Sequence, residues 1–299
     1  MTAPASFIRA PENHRHGIYW MLLTMFLFVS MDTVAKYLTA SYPVHQVVWA
    51  RYVFHVLLLF AWLGRRAPWV LRTRRLGLQL VRSLLLLLTT FFFFTALSFM
   101  ALVDASVIMF IGPIVLTVLA ALILREQVGA RRWSGVVIGF IGAVIVIRPG
   151  TSMVQPAAVF AVAAACCYAL YQISTRQLSY SDAPLTTLSY TALVGALASS
   201  FAAPFGWVWP DAAGWALMAL VGLIGGLGHF CVIKAFQAAP AAVIAPFGYS
   251  TIVWSTSFGF IIFDDLPDVW TIVGGAIVIG SGIYILHRER VRDRGTRPR

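Results

Sequence analysis

The sequence contains few charged residues. Asp, Glu, Lys and Arg make up 11% of its 299 residues, whereas 60% are hydrophobic and the mean hydropathy is +0.84. A soluble domain carries about 25% charged residues. A single core cannot withdraw this much apolar surface from water, so the composition excludes a soluble protein and indicates an integral membrane protein.

Cysteine is also scarce, and the usual catalytic motifs are missing. The three cysteines, Cys166, Cys167 and Cys231, lie in apolar segments, and an odd number there argues against a disulfide framework or a metal site. The sequence has no His-Glu-x-x-His, no Gly-x-Ser-x-Gly and no nucleotide-binding motif. We therefore expect no catalytic residues, no metal and no cofactor, and an intramembrane enzyme is a disfavoured alternative.

Apolar segments of membrane-spanning length recur along the chain. A bilayer core needs roughly 20 apolar residues per helix. We predict an all-α protein with ten spans, and eight or nine spans are the alternative. The segments are about 17–39, 44–64, 77–101, 103–124, 133–149, 154–174, 184–205, 211–236, 241–263 and 268–287. The first is long and lacks a small-residue cleavage site, so we interpret it as a retained helix.

The basic residues predict the orientation of these spans. With the N-terminus in the cytoplasm, 18 of the 22 Lys and Arg residues fall in cytoplasmic segments, Arg82 among them, and only Arg148 falls in an outer loop. Cytoplasmic loops carry such an excess, so we predict that both termini are cytoplasmic. Residues 1–16 form a polar N-terminal segment and 288–299 a basic tail. The net charge of +11 then reflects contact with anionic lipid headgroups, and we expect no nucleic-acid partner.

A short pattern occurs twice in the chain. The segment 105–108 followed by Gly112 recurs as 241–244 followed by Gly248, with the same internal spacing. Five spans per half is an odd number, so the second half must enter the membrane from the opposite side. We therefore predict two inverted five-helix repeats, 17–150 and 151–287, a construction that supports alternating access.

The loop and helix that end the first repeat resemble a known family. Glu126 is followed by Gly135 and Gly142, and the two glycines recur with the same separation as Gly275 and Gly282. This pattern resembles the repeated unit of the drug/metabolite transporter superfamily of the EamA type.

The resemblance covers roughly residues 17–287, with one departure. Asp265 stands one residue out of register where the family pattern has Glu. The resemblance implies a ten-helix exporter of metabolites in a bacterial inner membrane. Within this family, the chain is most similar to the branch that exports aromatic and other amino acids.

Charged side chains within spans are costly, so each is a candidate for function. Asp32 and Lys36 lie one turn apart, and we predict either a self-neutralising ion pair or a pair for coupling or substrate binding. The Arg51 guanidinium can hold a substrate carboxylate, and the alternatives are pairing with Asp32 or extension to the headgroups. His55 can titrate near neutral pH, but a hydrogen-bonded structural histidine is the commoner case, as for His229.

Aromatic and polar side chains in two spans form a second group of candidates. Aromatic rings with a polar edge suit an amphipathic metabolite, and packing between helices is the alternative. The substrate-binding candidates of this group are Tyr168, Tyr171, Gln172, Tyr249, Ser250 and Trp254.

Glycine and proline interrupt the fourth and ninth spans near matching repeat positions. Proline removes a backbone donor and bends a helix, and a bend at a repeat interface can act as a gate. Kinks with only a packing role are the alternative. The gating or hinge candidates are Gly112, Pro113, Pro240, Pro246 and Gly248.

These observations together predict a multi-pass secondary transporter of the inner membrane. We expect a small-molecule substrate, most simply aromatic and other neutral amino acids, exported by alternating access, and a facilitator that needs no energy source is compatible with the sequence. Membrane lipids are the surroundings, and a monomer is plausible. The alternatives are proton-coupled efflux of drugs or organic cations, and a membrane scaffold that transports nothing.

Overall fold

The structure is a computed structural model that describes residues 14–64, 70–123, 130–148, 155–178 and 181–295. It gives only the backbone at 120–123, 130–132, 155–156, 241–242 and 285–295. Every regular element in these ranges is a helix. Glu126 and the predicted repeat boundary at 150 lie outside the described residues.

The first half of the chain contains six helices. Their bounds are α1 His14–Thr39, α2 Val44–Leu63, α3 Leu76–Leu97, α4 Leu102–Met109, α5 Gly112–Ile123 and α6 Ala130–Ile147.

The second half continues with six α-helices and one short 3-10 helix. They are α7 Gln155–Leu178, α8 Pro184–Ala202, α9 Ala212–Ala238, α10 Ala241–Ile244, the 3-10 helix Ala245–Tyr249, α11 Ser250–Phe263 and α12 Val269–Gly295.

Seven of these segments are long and apolar enough to cross a membrane. Six lie on α1, α2, α3, α7, α8 and α9, and the seventh, Leu102–Leu119, combines α4 with most of α5. Two shorter apolar helices, Trp133–Ile147 and Val269–Tyr284, belong to α6 and α12. The described chain is therefore an all-helical, multi-span membrane protein.

The first and last described helices run past the predicted spans. The first, α1, begins at His14, and the last, α12, runs on to Gly295, eight residues beyond the predicted span. Arg and Glu are good helix formers, so the basic residues there continue the helix. The division into a polar segment at 1–16 and a basic tail at 288–299 stays a prediction.

Hydroxyl side chains inside the spans bond to their own helices. Thr24 donates to the carbonyl oxygen of Trp20 at 2.8 Å, and Thr33 donates to that of Val29 at 2.7 Å. Ser83 donates in the same way to the preceding turn of α3. Such bonds satisfy a polar group in a medium without water, so a Ser or Thr in a span does not by itself indicate a site.

The helices pack in a pattern that repeats between the halves. Adding 140 to the residue numbers of α2, 44–63, gives 184–203, which nearly coincides with α8. The same numbering offset carries α1 onto α7, α3 into α9 and α6 onto α12. Contacts follow this correspondence: α1 packs on α9 and α7 packs on α3, while α2 packs on both α8 and α9 and α3 also packs on α8. The pair α6 and α12 packs together.

Two breaks lie where glycine and proline predicted them. Between α4 and α5, the backbone N–H of Ile111 donates to the carbonyl oxygen of Ile108, a tighter spacing than that of an α-helix. Pro113 lacks the N–H that would continue the regular ladder. Pro246 lies in the 3-10 helix that separates α10 from α11. The expected fourth and ninth spans are therefore discontinuous.

Candidate functional site

Two arginines lie inside the bundle and are almost fully buried. Arg82, on α3, is 5% exposed and donates from Nε to Thr175 Oγ1 and from Nη2 to Tyr171 Oη, each at 2.7 Å. Its Nη1 donates to the carbonyl oxygen of Thr187 at 3.1 Å and to the hydroxyl of Thr191. This guanidinium therefore joins α3 to α7 and α8.

The second arginine, Arg51, is carried by α2 and is 7% exposed. Its Nη1 donates to the hydroxyl of Thr90 and, at 3.4 Å, to that of Tyr52. The guanidinium carbon lies 5.1 Å from the ring centre of Tyr52 and 5.8 Å from that of Phe94. A Cβ at Gly225 would lie in ordinary contact with Nε at 3.7 Å, so α9 packs directly beside this side chain.

The hydrogen-bond partners of both guanidinium groups are neutral. In the part of the chain that the structure describes, neither arginine lies within 4 Å of a carboxylate oxygen. A buried positive charge is costly unless a counter-charge accompanies it. The site therefore favours a ligand that brings a negative group.

Asp32 lies on α1, deep in the bundle, and its side chain keeps accessible surface. Arg51 is the charged group whose field acts on it, although the two are not in ion-pair contact. Asp32 thus places a carboxylate near the Arg51 end of the interior.

The expected ion pair between Asp32 and Lys36 is not formed. The Lys36 ammonium instead lies 3.7 Å from Asp265 Oδ2 and donates to the carbonyl oxygens of Met100 at 2.7 Å and Leu97 at 3.4 Å. A long side chain reaches a neighbouring helix end more readily than it folds back one turn. Lys36 therefore ties α1 to the end of α3 and to the loop before α12.

A second charged contact lies at the same end of the molecule. Asp268 accepts from the backbone N–H of Thr271 at 2.8 Å and pairs with Arg148 at 2.6 Å, while Thr271 donates to Asp104 at 2.8 Å. Slight burial raises the pKa of Asp268, but the Thr271 hydrogen bonds and Arg148 outweigh it and lower the pKa overall. These contacts fasten the start of α12 to α4 and to the end of α6.

Two tyrosines of α7 form the aromatic wall beside Arg82. Tyr168 and Tyr171 stack with ring centres 5.6 Å apart, and the Arg82 guanidinium carbon lies 4.5 Å from the Tyr171 ring centre. Tyr168 lies deep in the bundle and yet is 37% exposed. Its ring is therefore accessible on one side and lies close to Gly112.

His55 and His229 stack on each other across α2 and α9. Their ring centres are 5.8 Å apart and their planes differ by 10°. No hydrogen bond to either ring is found among the described residues, although structural histidines were expected to form one. Two adjacent rings deep in the bundle cannot both carry a charge cheaply, so the pair adds aromatic surface next to Arg51.

The other aromatic candidates are divided between two places. Trp254, on α11, packs edge-on against Phe26 at 5.2 Å, and its buried Nε1–H has no acceptor among the described residues. Tyr249 packs against Phe110 at 4.8 Å and so joins the two helix breaks. Trp254 therefore offers a free donor, whereas Tyr249 has a packing contact.

The remaining sequence candidates make fewer contacts. Ser250 donates to the carbonyl oxygen of Phe247 at 2.7 Å, within its own turn. Gln172 is half-buried on α7, next to Tyr171. Neither joins the arginine networks directly.

The hinge candidates lie at the two breaks. Gly112 and Pro113 begin α5, and Pro240 directly precedes α10. Pro246 and Gly248 lie in the 3-10 helix, where a Cβ on Gly248 would meet Met21 of α1 at 3.8 Å. The breaks thus border α1 and the Tyr168 wall, and their movement stays a hypothesis.

The described residues contain no group of three His, Cys, Asp or Glu side chains that could hold a metal ion. The described interior offers two guanidinium groups, one carboxylate and aromatic rings.

Sequence reasoning overlooked Arg82 by counting it among cytoplasmic loop residues. Arg82 is six residues into α3 and points between helices. A long arginine side chain so near a helix end can also reach the headgroups, and sequence does not separate the two. Thr187 and Thr191 share one face of α8, but each also donates to a carbonyl oxygen one turn back in the chain, so their spacing alone did not indicate a polar partner.

Both halves of the chain match one protein family. The model of a family described as the EamA-like transporter family matches residues 15–148 and again 155–287. An S-adenosylmethionine uptake transporter of Rickettsia prowazekii (strain Madrid E) is 28% identical over 281 residues, covering 94% of this chain and 96% of the relative.

Two further relatives are named for different cargoes. A riboflavin transporter of Vibrio cholerae is 27% identical over 288 residues, covering 94% of this chain and 96% of the relative. A pseudopaline exporter of Pseudomonas aeruginosa is 26% identical over 281 residues, covering 92% and 98%.

A solved structure titled "Crystal structure of protein" shares the fold. It matches with a TM-score of 0.65 at 16% identity and covers 93% of this chain and 98% of its own.

Proposed function

The chain belongs to the EamA-like transporter family, and we propose that it is a secondary carrier of small amphipathic metabolites that bear a carboxylate. Amino acids, aromatic and other neutral ones in particular, and their derivatives are the proposed cargo. The proposed location is the inner membrane of a bacterium, in keeping with bacterial relatives.

One observation carries this proposal: Arg82 is buried among neutral partners beside an accessible tyrosine wall. A carboxylate supplies the missing counter-charge and matches the planar guanidinium, because two parallel N–H···O bonds fit its oxygens. The stacked rings of Tyr168 and Tyr171 offer a surface for an aromatic or apolar body. An amphipathic acid therefore satisfies both features.

The relatives support a broad cargo class rather than one compound. S-adenosylmethionine, for which one relative is named, is an amino acid derivative with a carboxylate, an ammonium group and a purine ring. Riboflavin, for which another is named, is a large aromatic ring system without a carboxylate, so it supports only the aromatic surface. A site that recognises shape and one charge rejects analogues by only a few kcal/mol, so we propose loose specificity.

The proposed architecture is ten spans in two inverted five-helix repeats with both termini in the cytoplasm. The constant numbering offset between corresponding helices, their matching contacts and the two family matches support the repeat. The distribution of Arg residues supports the orientation. Inverted repeats with a site between them are suited to alternating access.

Export is the proposed direction when the cargo accumulates inside the cell. The relatives include both an uptake transporter and an exporter, which supports a carrier whose flux follows the gradient of its cargo. Asp32 is an acid with accessible surface in the interior, which favours proton coupling as the second candidate.

Counterflow in proteoliposomes tests the proposal. Vesicles preloaded with unlabelled phenylalanine are expected to take up labelled phenylalanine with saturation, and vesicles without protein are the control. Phenethylamine, which lacks the carboxylate, is expected to compete at least about tenfold more weakly than phenylalanine. No counterflow with any carboxylate-bearing amino acid, or equal competition by phenethylamine, contradicts the proposal. A dependence on an imposed proton gradient selects the coupled form.

A further inference from the structure

The two buried arginines lie at two equivalent helix crossings, Arg51 where α2 meets α9 and Arg82 where α3 meets α8. The numbering offset that relates the halves carries Arg51 of α2 to Thr191 of α8, and Arg82 of α3 to Gly222 of α9. Arg82 donates to Thr191, and the backbone of Arg51 closely approaches Gly222. Each of the two equivalent helix crossings therefore contains one guanidinium and one small residue.

The two guanidinium groups lie at different depths. Arg82 is six residues from the start of α3, whereas Arg51 bonds to Thr90, eight residues further along the same helix. At 1.5 Å per residue, the backbones of Arg82 and Thr90 are about 12 Å apart along the α3 axis. The two guanidinium groups are therefore held at different turns of α3.

Each guanidinium group has N–H donors that no described residue accepts. Only Nη1 of Arg51 has acceptors among the described residues, so Nε and Nη2 are unused, and neither is enclosed. These two atoms form the edge of a guanidinium that binds a carboxylate with two parallel bonds. In Arg82, Nη2 has a second N–H besides the one donated to Tyr171.

The surroundings of the two groups differ in charge. Asp32, which lies in the field of Arg51, corresponds by the same offset to the neutral Gln172 beside Tyr171. The Arg51 position can thus bind a carboxylate and an ammonium group together, whereas the Arg82 position offers a positive charge and an aromatic wall.

We infer that Arg82 and Arg51 form two separate carboxylate subsites, one in each half of the membrane, which the cargo occupies in turn as it crosses. The inference rests on the proposed function and deepens it. Arg82 meets the cargo from the side where α3 begins, and Arg51 meets it from the side where α2 begins, because the two helices start at opposite ends of the bundle.

Side-specific kinetics test this inference in the full-length protein. The protein is reconstituted in vesicles in one predominant orientation, which is verified by protease access to the C-terminal segment, and the phenylalanine concentration that gives half-maximal flux is measured separately on each side. Arg82→Gln is expected to raise that value at least about tenfold on the α3 start side and less than about threefold on the other side. Arg51→Gln is expected to do the reverse, and Arg82→Lys and Arg51→Lys to restore part of the affinity.

Three controls separate the possible outcomes. Lys234→Gln removes a cation that lies 5.5 Å above the Phe230 ring and is expected to change neither side. Competition by phenethylamine, which has no carboxylate, is expected to be unaffected by either arginine variant. Where a variant does not transport, phenylalanine binding to the detergent-solubilised protein is measured by tryptophan fluorescence, after its Tm confirms folding.

Equal effects of both variants on both sides, or a fall in maximal rate with unchanged half-saturation, overturn the two-subsite inference and leave the proposed function standing. Absence of saturable phenylalanine counterflow in the unmodified protein contradicts the proposed function itself. The two failures are therefore distinguishable.

Discussion

Replacing Gly222 by alanine tests how closely α2 and α9 approach each other. A Cβ on Gly222 would lie 3.0 Å from the backbone nitrogen of His55 and 3.1 Å from the carbonyl oxygen of Arg51, and it would also meet Phe54 Cβ. Carbon atoms pack best at roughly 3.5–4.0 Å. These three atoms belong to the backbone or are fixed to it, so no side-chain rotation relieves the overlap. The helices must separate, and such overpacking costs about 1–3 kcal/mol.

A matched control removes the effect of helix propensity. Gly280 lies in α12 with nothing within 4 Å of its added Cβ, so Gly280→Ala gains the usual alanine preference of about 1 kcal/mol without overlap. Since both changes carry this gain, their difference isolates the overlap. We expect Gly222→Ala to be less stable than Gly280→Ala by about 1–3 kcal/mol.

The assay is equilibrium unfolding in mixed micelles of dodecyl maltoside and increasing SDS, followed by tryptophan fluorescence. The free energy of unfolding of each variant is compared with that of the unmodified protein. Equal stability of the two alanine variants would refute the close approach of α2 and α9 and the position of Arg51 that depends on it.

Three other outcomes follow from the contacts. Lys36→Met is expected to destabilise the protein by about 1.5–3 kcal/mol, because charge-assisted bonds to two carbonyl oxygens and Asp265 are lost. The control Lys234→Met removes a cation above one ring and costs less than about 1 kcal/mol. SDS unfolding measures both variants, and equal losses contradict the assigned contacts. Slight burial raises the pKa of Asp182, but side-chain hydrogen bonds outweigh it and depress the pKa below the usual 3.8. The ionised carboxylate therefore stabilises the fold above that pH, and this stabilisation disappears as the pH falls through the lower folded pKa. Asp182→Asn is expected to flatten the pH dependence of Tm below about pH 4, and an unchanged curve counts against the assigned hydrogen bonds. Trp254→Phe removes an unpaired buried donor and keeps an aromatic ring, so Tm is expected not to fall, and a large fall would reveal an acceptor.

The partners of Lys36 show where sequence reasoning was insufficient. The spacing of Asp32 and Lys36 predicted a pair within one helix, because residues four apart lie on the same face. In the structure, the end of α3 and Asp265 provide nearer partners for the ammonium. These partners are distant in sequence, and only the packing of α1 against other elements brings them together.

The sequence by itself determined the class of the protein, the places of the helices and their breaks. Lipid as a solvent requires long apolar helices. Pro interrupts them because it lacks the backbone N–H that continues a helix, and this property belongs to the residue itself. The bounds of α2 and α8 differ by 140 residues at their start, which is also the offset between the glycine pair Gly135 and Gly142 and its repeat at 275 and 282.

Only the tertiary structure decided which polar side chains face inward. Arg82 lies about 9 Å from the start of α3, a distance from which its side chain can reach either the headgroups or the interior. The hydroxyls of Thr175 and Thr191, supplied by two other helices, settle that choice. A hydrogen-bond network shared by three helices has no local signature, because each helix contributes a residue that is ordinary in its own segment.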